Sequence, residues 1–147
     1  MEYRHTQFGG VIFLGVLATM VVVLILSFSL PDVAVPLFTL FVALAVCLTL
    51  FYALNVEINN SVLVCRFGIG IIRKRIPLSA IQTVRAVTNP WYAGWGIRWM
   101  PGQYWLWNVS GLRAVELSFA DGSRFRIGTD EPEALARAIE VKKALAT

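Results

Sequence analysis

Residues 33–67 read VAVPLFTLFVALAVCLTLFYALNVEINNSVLVCRF, and the change of pattern inside this stretch decides the fold. As far as Leu54 the segment is apolar and uncharged, which is typical of a helix that spans a membrane. From Leu54 onward apolar and polar residues alternate, as they do in a strand with one buried face. Asn59 and Asn60 then interrupt the alternation with a turn signal. We therefore expect a membrane helix to be followed almost directly by a β domain.

A second apolar run precedes this one. Phe8–Leu30 has 23 residues without a charge, and Pro31-Asp32 separates it from the next run. A bilayer core of about 30 Å needs roughly 20 helical residues. The run is too long, and its start too weakly basic, for a signal peptide. We expect two spans, at about 8–30 and 33–54, forming a helical hairpin in an N-terminal unit of residues 1–54.

The distribution of Lys and Arg predicts the orientation of this hairpin. The connecting loop has none, whereas Arg4 precedes the first span, and Arg66 and the basic run at 73–75 follow the second. We expect both termini to be cytoplasmic, with residues 55–147 forming a cytoplasmic domain.

Composition limits the function of that domain. Residues 55–147 hold 12 of the 13 Lys and Arg and 7 of the 9 Asp and Glu, a net charge of +5. This excess favours contact with an anionic membrane surface. It is too small for a nucleic-acid domain, and no RNA-binding motif accompanies it. Cys47 and Cys65 have no CxxC or zinc spacing, so we expect two buried, reduced thiols.

Alternation and turn signals predict a meander of short antiparallel strands in residues 55–147. Asn59-Asn60, Ser110-Gly111 and Asp121-Gly122 are the turn signals. The expected strands are 54–59, 62–67, 71–76, 81–87, 103–109, 112–119 and 124–127.

One helix is predicted after the last strand. Asp130 and Glu133 have the spacing of a capping box, and Pro132 suits a first turn. An apolar stripe on this helix would cover one opening of the sheet. The stripe comprises Leu135, Ala138, Ile139, Leu145 and Ala146.

About seven short strands followed by one amphipathic helix are the pattern of a pleckstrin-homology-like (PH-like) domain. The chain resembles the bacterial PH-like membrane proteins in which two membrane helices precede one such domain. The resemblance implies a two-helix transmembrane hairpin, then a PH-like antiparallel β-barrel or sandwich with a C-terminal capping α-helix, in a bacterial inner membrane. It implies no reaction. It is carried by IPLSAI (76–81), GWGIR (94–98), NVSG (108–111), AVEL (114–117) and DGSRFRIGTDEP (121–132).

No catalytic motif stands out in the chain. The single histidine, His5, precedes the first span, and we expect it to be a solvated tail residue. Gly68-Ile69-Gly70 lacks the third glycine and following helix of a dinucleotide site, so a hairpin turn is expected. Glu57 and Glu116 are expected on the solvent side of strands, and Arg124 with Arg126 on an ordinary charged face. We expect no enzymatic activity, cofactor, metal or small-molecule substrate.

The first candidate binding surface is basic. Arg73 and Arg75 share one face of a predicted strand, and Arg66 points outward on the neighbouring one. Together with Lys74, these residues are candidates for binding phospholipid headgroups. The alternative is a solvated face whose charges only enforce membrane topology.

The second candidate surface is aromatic. Residues 91–107 contain all five tryptophans, and Trp105 and Trp107 share one face of a predicted strand. Tryptophan is favoured at the boundary between membrane and water. We expect this segment to contact the membrane interface or a partner subunit, with about two of the five tryptophans in the core instead. The candidate residues are Trp91, Tyr92, Trp95, Arg98, Trp99, Trp105 and Trp107, with Arg98 as a charged contact among the rings.

These observations favour an interaction protein. We expect a non-enzymatic membrane protein that serves as an accessory, scaffolding or assembly subunit of a larger complex, or of its own oligomer. Gly9, Gly10, Gly15 and Ala18 in the first span would permit close helix contacts. The alternative function is binding or sensing of anionic lipid headgroups. The expected partners are membrane lipids and other membrane subunits or further copies of this chain.

Overall fold

The computed structural model describes residues 3–145 and contains three α-helices and two β-sheets. Short 3-10 turns occur at Pro31–Val33, Leu78–Ala80 and Trp91–Ala93. The elements in chain order are β1 (Tyr3–Phe8), α1 (Gly10–Ser29), α2 (Ala34–Phe51), β2 (Ala53–Asn59), β3 (Val62–Phe67), β4 (Arg73–Pro77), β5 (Ile81–Thr88), β6 (Gly96–Met100), β7 (Tyr104–Asn108), β8 (Arg113–Phe119), β9 (Arg124–Gly128) and α3 (Pro132–Leu145).

The two N-terminal helices are long and apolar enough to cross a membrane. The segments Gly10–Ser29 and Pro31–Phe51 have mean hydropathies of 2.9 and 2.6. The core helix of a soluble protein would bury one face, whereas Val23 is the one buried residue of α1, and α2 buries none. Both helices lie inside the expected spans, but each is shorter. Phe8 belongs to β1, Val33 to a 3-10 turn, and Ala53 and Leu54 to β2.

The first sheet has the antiparallel order β1-β2-β3-β4. Its edge strand β1 pairs with β2 from Tyr3↔Ile58 to Phe8↔Ala53. The segment before α1 is therefore part of the sheet, and His5 is not the solvated tail residue that we expected. The β domain thus combines residues from both sides of the helical hairpin.

The second sheet has the order β5-β8-β9-β7-β6. Strands β7 and β9 run parallel, so the expected all-antiparallel meander is wrong at this pair. The β6 strand, which was not predicted, forms the sheet edge by pairing antiparallel with β7. The two sheets remain separate and do not close into a barrel.

The core lies between the two sheets and beneath α3. The first sheet contributes buried residues that include Leu54, Leu63 and Phe67, and the second contributes Leu117 and Ile127. Helix α3 packs against β5 and β8. This arrangement gives the domain one continuous apolar interior.

Helix α3 differs from expectation at both ends. Asp130 Oδ1 lies 2.6 Å from His5 Nε2, and Glu133 Oε2 accepts a hydrogen bond of 2.6 Å from Arg113. Both carboxylates of the expected capping box are thus engaged with strands. Leu135 and Ile139 are buried and Ala138 packs against the core, whereas Leu145 is exposed. Ala146, the last member of the predicted stripe, lies outside the described residues.

The two cysteines have different environments. Cys65 is fully buried between the sheets, and burial raises the pKa of its thiol to about 12. Cys47 is exposed on the surface of α2, so the expectation of a buried thiol is wrong there.

Two glycines hold the helices against the β domain. The Gly9 N–H donates a 2.8 Å hydrogen bond to the carbonyl oxygen of Tyr52, which joins the start of α1 to the end of α2. Gly68, after β3, packs on the last turn of α2, and a Cβ there would lie 2.6 Å from the carbonyl oxygen of Leu50. Its φ of 45° also favours glycine. These contacts determine which end of the β domain lies beside the helices.

Candidate functional site

One end of the second sheet lies beside the helices, and we call it the helix-proximal end. There Val109, between β7 and β8, is fully buried, and its backbone oxygen would lie 3.1 Å from a Cβ built at Gly9. Gln7 of β1 donates a 3.0 Å hydrogen bond to the carbonyl oxygen of Ser110. The backbone N–H of Asn89, after β5, donates to the carbonyl oxygen of Leu112 at 2.6 Å. The loop between β5 and β6 therefore begins at this end.

Four of the five tryptophans are exposed. Trp91 is the most exposed at 82%, followed by Trp99, Trp105 and Trp95 at 51%, 45% and 40%. Trp107 is only 8% exposed, so the core holds one tryptophan and not two. The centroid of the Trp107 ring lies 5.1 Å from that of Phe67 and 5.7 Å from that of Phe125.

The exposed rings fall into two groups. The proximal group comprises Trp91, Tyr92 and Trp95, which lie in the loop that connects the helix-proximal ends of β5 and β6. The edge pair comprises Trp99 of β6 and Trp105 of β7, which are cross-strand partners with ring centroids 5.0 Å apart. Trp105 and Trp107 therefore lie on the same face of β7, but this face is buried at Trp107 and exposed at Trp105.

Arg98 lies beside the aromatic residues but on the other face of β6 from Trp99. Its Nε donates a 3.4 Å hydrogen bond to the carbonyl oxygen of Trp95. Its guanidinium also closes over Gly94, since a Cβ at that glycine would lie 3.1 Å from an Arg98 nitrogen. Arg98 thus supports the turn that presents Trp95, a role the sequence did not suggest.

A small second core holds the proximal group in place. Ala93, Tyr104 and Leu106 are buried together on the outer face of the second sheet. The loop that follows β5 therefore covers this part of the outer face of the second sheet. The side chains of Trp91 and Tyr92 remain exposed because their neighbour Ala93 provides the buried contact.

A charged cluster beside this small core was missed from the sequence. Arg126 Nε donates to Glu116 Oε2 at 2.7 Å, and its terminal nitrogen donates to Asn89 Oδ1 at 3.0 Å. The Arg126 guanidinium also lies 3.6 Å from the centroid of the Tyr104 ring. Glu116 is 8% exposed, so our expectation of a solvent-facing carboxylate is wrong. Alternation assigned both side chains to the outer face, but it does not reveal that a loop covers that face.

The structure brings together three of the four predicted basic residues. Arg66 and Arg73 are direct cross-strand partners on the outer face of the first sheet. Arg75 lies on the same face of β4. Lys74 lies on the opposite face, with Nζ 4.6 Å from the centroid of the Phe125 ring, so it does not belong to the basic surface. Arg66 forms an ion pair with Glu57, the neighbour of Arg4 across β1 and β2.

Comparisons with protein-family models, curated proteins and solved structures give no match for this chain. The class that the fold defines is a protein with two apolar N-terminal helices, two packed β-sheets and a C-terminal helix. Its candidate sites are an exposed aromatic surface and a basic sheet face.

Proposed function

We propose that the chain is a non-enzymatic integral membrane protein that acts as an accessory, scaffolding or assembly subunit of a larger complex. In this proposal α1 and α2 cross the inner membrane of a bacterium, both termini are cytoplasmic, and the β domain is PH-like. The order of two helices, short strands and one closing helix supports the assignment. The observation that carries the proposed function is the set of four exposed tryptophans on β6, on β7 and in the loop between β5 and β6. Large exposed aromatic surfaces mark sites of interaction.

The proximal group is suited to the membrane interface. With α1 and α2 in the bilayer, the helix-proximal end of the β domain would lie at the level of the headgroups. Trp91, Tyr92 and Trp95 each combine an apolar ring with a polar group, which suits this level. We therefore assign these three residues to the membrane.

The edge pair is suited to a protein partner. Trp99 lies three residues along β6 from Gly96, which is roughly 10 Å of strand further from the helix-proximal end. Ile97 lies on the same face of β6 as Trp99 and is also exposed, which adds apolar area beside the ring pair. Aromatic residues near the centre of a protein interface supply much of its affinity. We assign this pair to a partner subunit or to a second copy of the chain.

Gentle extraction of the full-length protein from its native membrane, followed by native mass spectrometry, tests this assignment. We expect a fixed set of partner chains with the wild type and their loss from Trp99→Ala/Trp105→Ala. Val141→Ala, at an exposed apolar residue of α3, is the control. A monomer that carries only lipid in the wild-type sample would contradict the proposal.

The proximal group requires a separate test. Trp91→Ala/Trp95→Ala is expected to weaken membrane or partner association and to leave the circular dichroism of the β domain unchanged. Loss of the β-sheet signal would show a structural role and contradict the assignment.

Binding of anionic lipid headgroups is the second candidate function. It is favoured by Arg66, Arg73 and Arg75 on one face of the first sheet, with Arg4 on the same face. Binding of the protein to anionic vesicles should then weaken strongly with salt. The experiment needs the full chain, because a 55–147 fragment lacks β1 and with it the edge of the first sheet.

A further inference from the structure

A polar cavity of about 270 Å³ lies where α2 meets the outer face of the first sheet. Cross-strand partners Arg4 and Glu57, and likewise Asn55 and Arg66, direct side chains to this face. The cavity is completed by Tyr52 from the end of α2 and by the turn at residues 68–70.

The charges around this cavity favour an anion. Arg66 forms an ion pair with Glu57, but within residues 3–145 neither Arg4 nor Arg73 has a carboxylate oxygen within 4.0 Å. Arg73 lies directly opposite Arg66 in the sheet and adds positive charge to this face beside the cavity. A bound phosphate would supply the anionic partner that Arg4 lacks within residues 3–145, since guanidinium groups hold phosphate through paired hydrogen bonds.

An apolar groove of about 330 Å³ adjoins the polar cavity. Ile69 lines both, which makes the two spaces neighbours. The groove follows α2 from Phe41 to Leu50, about 14 Å along the helix axis at the rise of an α-helix. Its other wall is formed by Ile69 and Ile71, which are 59% and 70% exposed.

A polar cavity that continues into an apolar groove matches the polar headgroup and apolar acyl chains of a phospholipid. The polar cavity lies at the end of α2 that joins the β domain, and the apolar groove extends from it along the span. We infer that this composite site binds one anionic phospholipid, with its phosphate near Arg4 and Arg66 and an acyl chain between α2 and Ile71. The inference rests on the proposed insertion of α2 in a membrane.

The occupant follows from the position of the groove. A groove on the surface of a spanning helix is surrounded by acyl chains, and the cationic cavity at its end selects the charge of the headgroup. A zwitterionic lipid carries a phosphate too, but its own ammonium group would face Arg4, which has no carboxylate partner within residues 3–145. The site should therefore prefer an anionic lipid over a zwitterionic lipid with the same chains.

Native mass spectrometry of the full-length protein in mild detergent tests the inference. The added probes are phosphatidylglycerol and phosphatidylcholine with identical chains. We expect the wild type to retain one phosphatidylglycerol and at least about fivefold less phosphatidylcholine. Arg4→Gln should abolish this preference, and so should Glu57→Gln combined with Arg66→Gln. Arg137→Gln is the control, because Arg137 is an exposed arginine of α3 outside both candidate surfaces. Ile71→Ser should reduce retention of both lipids.

Three outcomes would overturn the inference. Equal retention of phosphatidylglycerol by Arg4→Gln and Arg137→Gln would exclude the polar cavity. Displacement of the lipid by an equal concentration of soluble glycerol phosphate would show a site for free phosphate instead. An unchanged lipid count in Ile71→Ser would exclude the groove.

Carbonate extraction of cell membranes separates the inference from the proposed function. If the wild-type protein resists extraction but retains no lipid selectively, this inference fails and the proposed membrane insertion stands. If carbonate releases the protein, the insertion itself fails and the lipid site fails with it.

Discussion

The two sheets share one core but differ in how they are attached and in what they expose. The first sheet is continuous with both helices, because β1 leads into α1 and α2 leads into β2. Its outer face carries the arginines Arg66, Arg73 and Arg75. The second sheet contacts the helices through the loop after β7, and its exposed edge carries Trp99 and Trp105.

This difference indicates that the first sheet positions the β domain on the helices, whereas the edge of the second sheet is available for contact with a partner. The first sheet has little freedom relative to the helices, since its strands and Gly68 contact them through backbone atoms. The second sheet is held in turn by the shared core, and its aromatic edge extends beyond the part of the sheet that this core covers. Changes at these backbone contacts should therefore affect folding and placement, and changes at the edge of the second sheet should affect association.

Gly68→Val is expected to have the largest effect. A Cβ there meets backbone oxygens of α2, which cannot move as a flexible side chain would, and φ is positive. We expect a loss of roughly 3–6 kcal/mol of stability from strain and steric overlap, measured as the thermal unfolding midpoint in detergent. Gly122→Ala is the matched control, because its φ is 82° with open space around it, and it should cost about 1–2 kcal/mol. Equal effects of the two would contradict the proposed close packing on α2.

Trp107→Ala should follow, with a loss of about 3–5 kcal/mol, because a buried aromatic ring is replaced by a cavity. Trp91→Ala should change stability by less than about 0.5 kcal/mol, because its ring is exposed. Chemical unfolding of both variants, followed by tryptophan-independent circular dichroism, measures the difference. Similar losses would mean that the exposed rings are part of the folded core, and the functional assignment of the aromatic surface would fail.

Local signals were sufficient for much of the fold. Both apolar runs form helices, and the alternation around the turn at Asn60, whose φ is 51°, forms the hairpin of β2 and β3. The helix after Asp130 also forms. These elements depend on neighbouring residues in the chain, which sequence patterns describe directly.

The elements that were missed depend on distant residues. Strand β1 is rich in polar side chains and is defined by pairing with β2, about fifty residues later. Strand β6 lies among glycines, and the parallel pairing of β7 with β9 is a property of topology.

The candidate sites show the same limit. Alternation places Trp105 and Trp107 on one face, but only the packing of the first sheet reveals that Trp107 alone is covered. Lys74 was grouped with its basic neighbours by position in the chain, whereas strand geometry directs it inward.

His5→Ala should have a smaller effect than Gly68→Val or Trp107→Ala, and it tests whether β1 belongs to the first sheet. His5 Nε2 lies 2.6 Å from Asp130 Oδ1 and links β1 to the start of α3, so removing the imidazole should cost about 1 kcal/mol. Asp130→Asn retains an oxygen acceptor at the same place and should cost less. Hydrogen exchange of the β1 amides provides the second readout, with faster exchange expected in His5→Ala. If the β1 amides already exchange freely in the wild type, the strand is not stably paired, and the first sheet does not hold both ends of the helical hairpin.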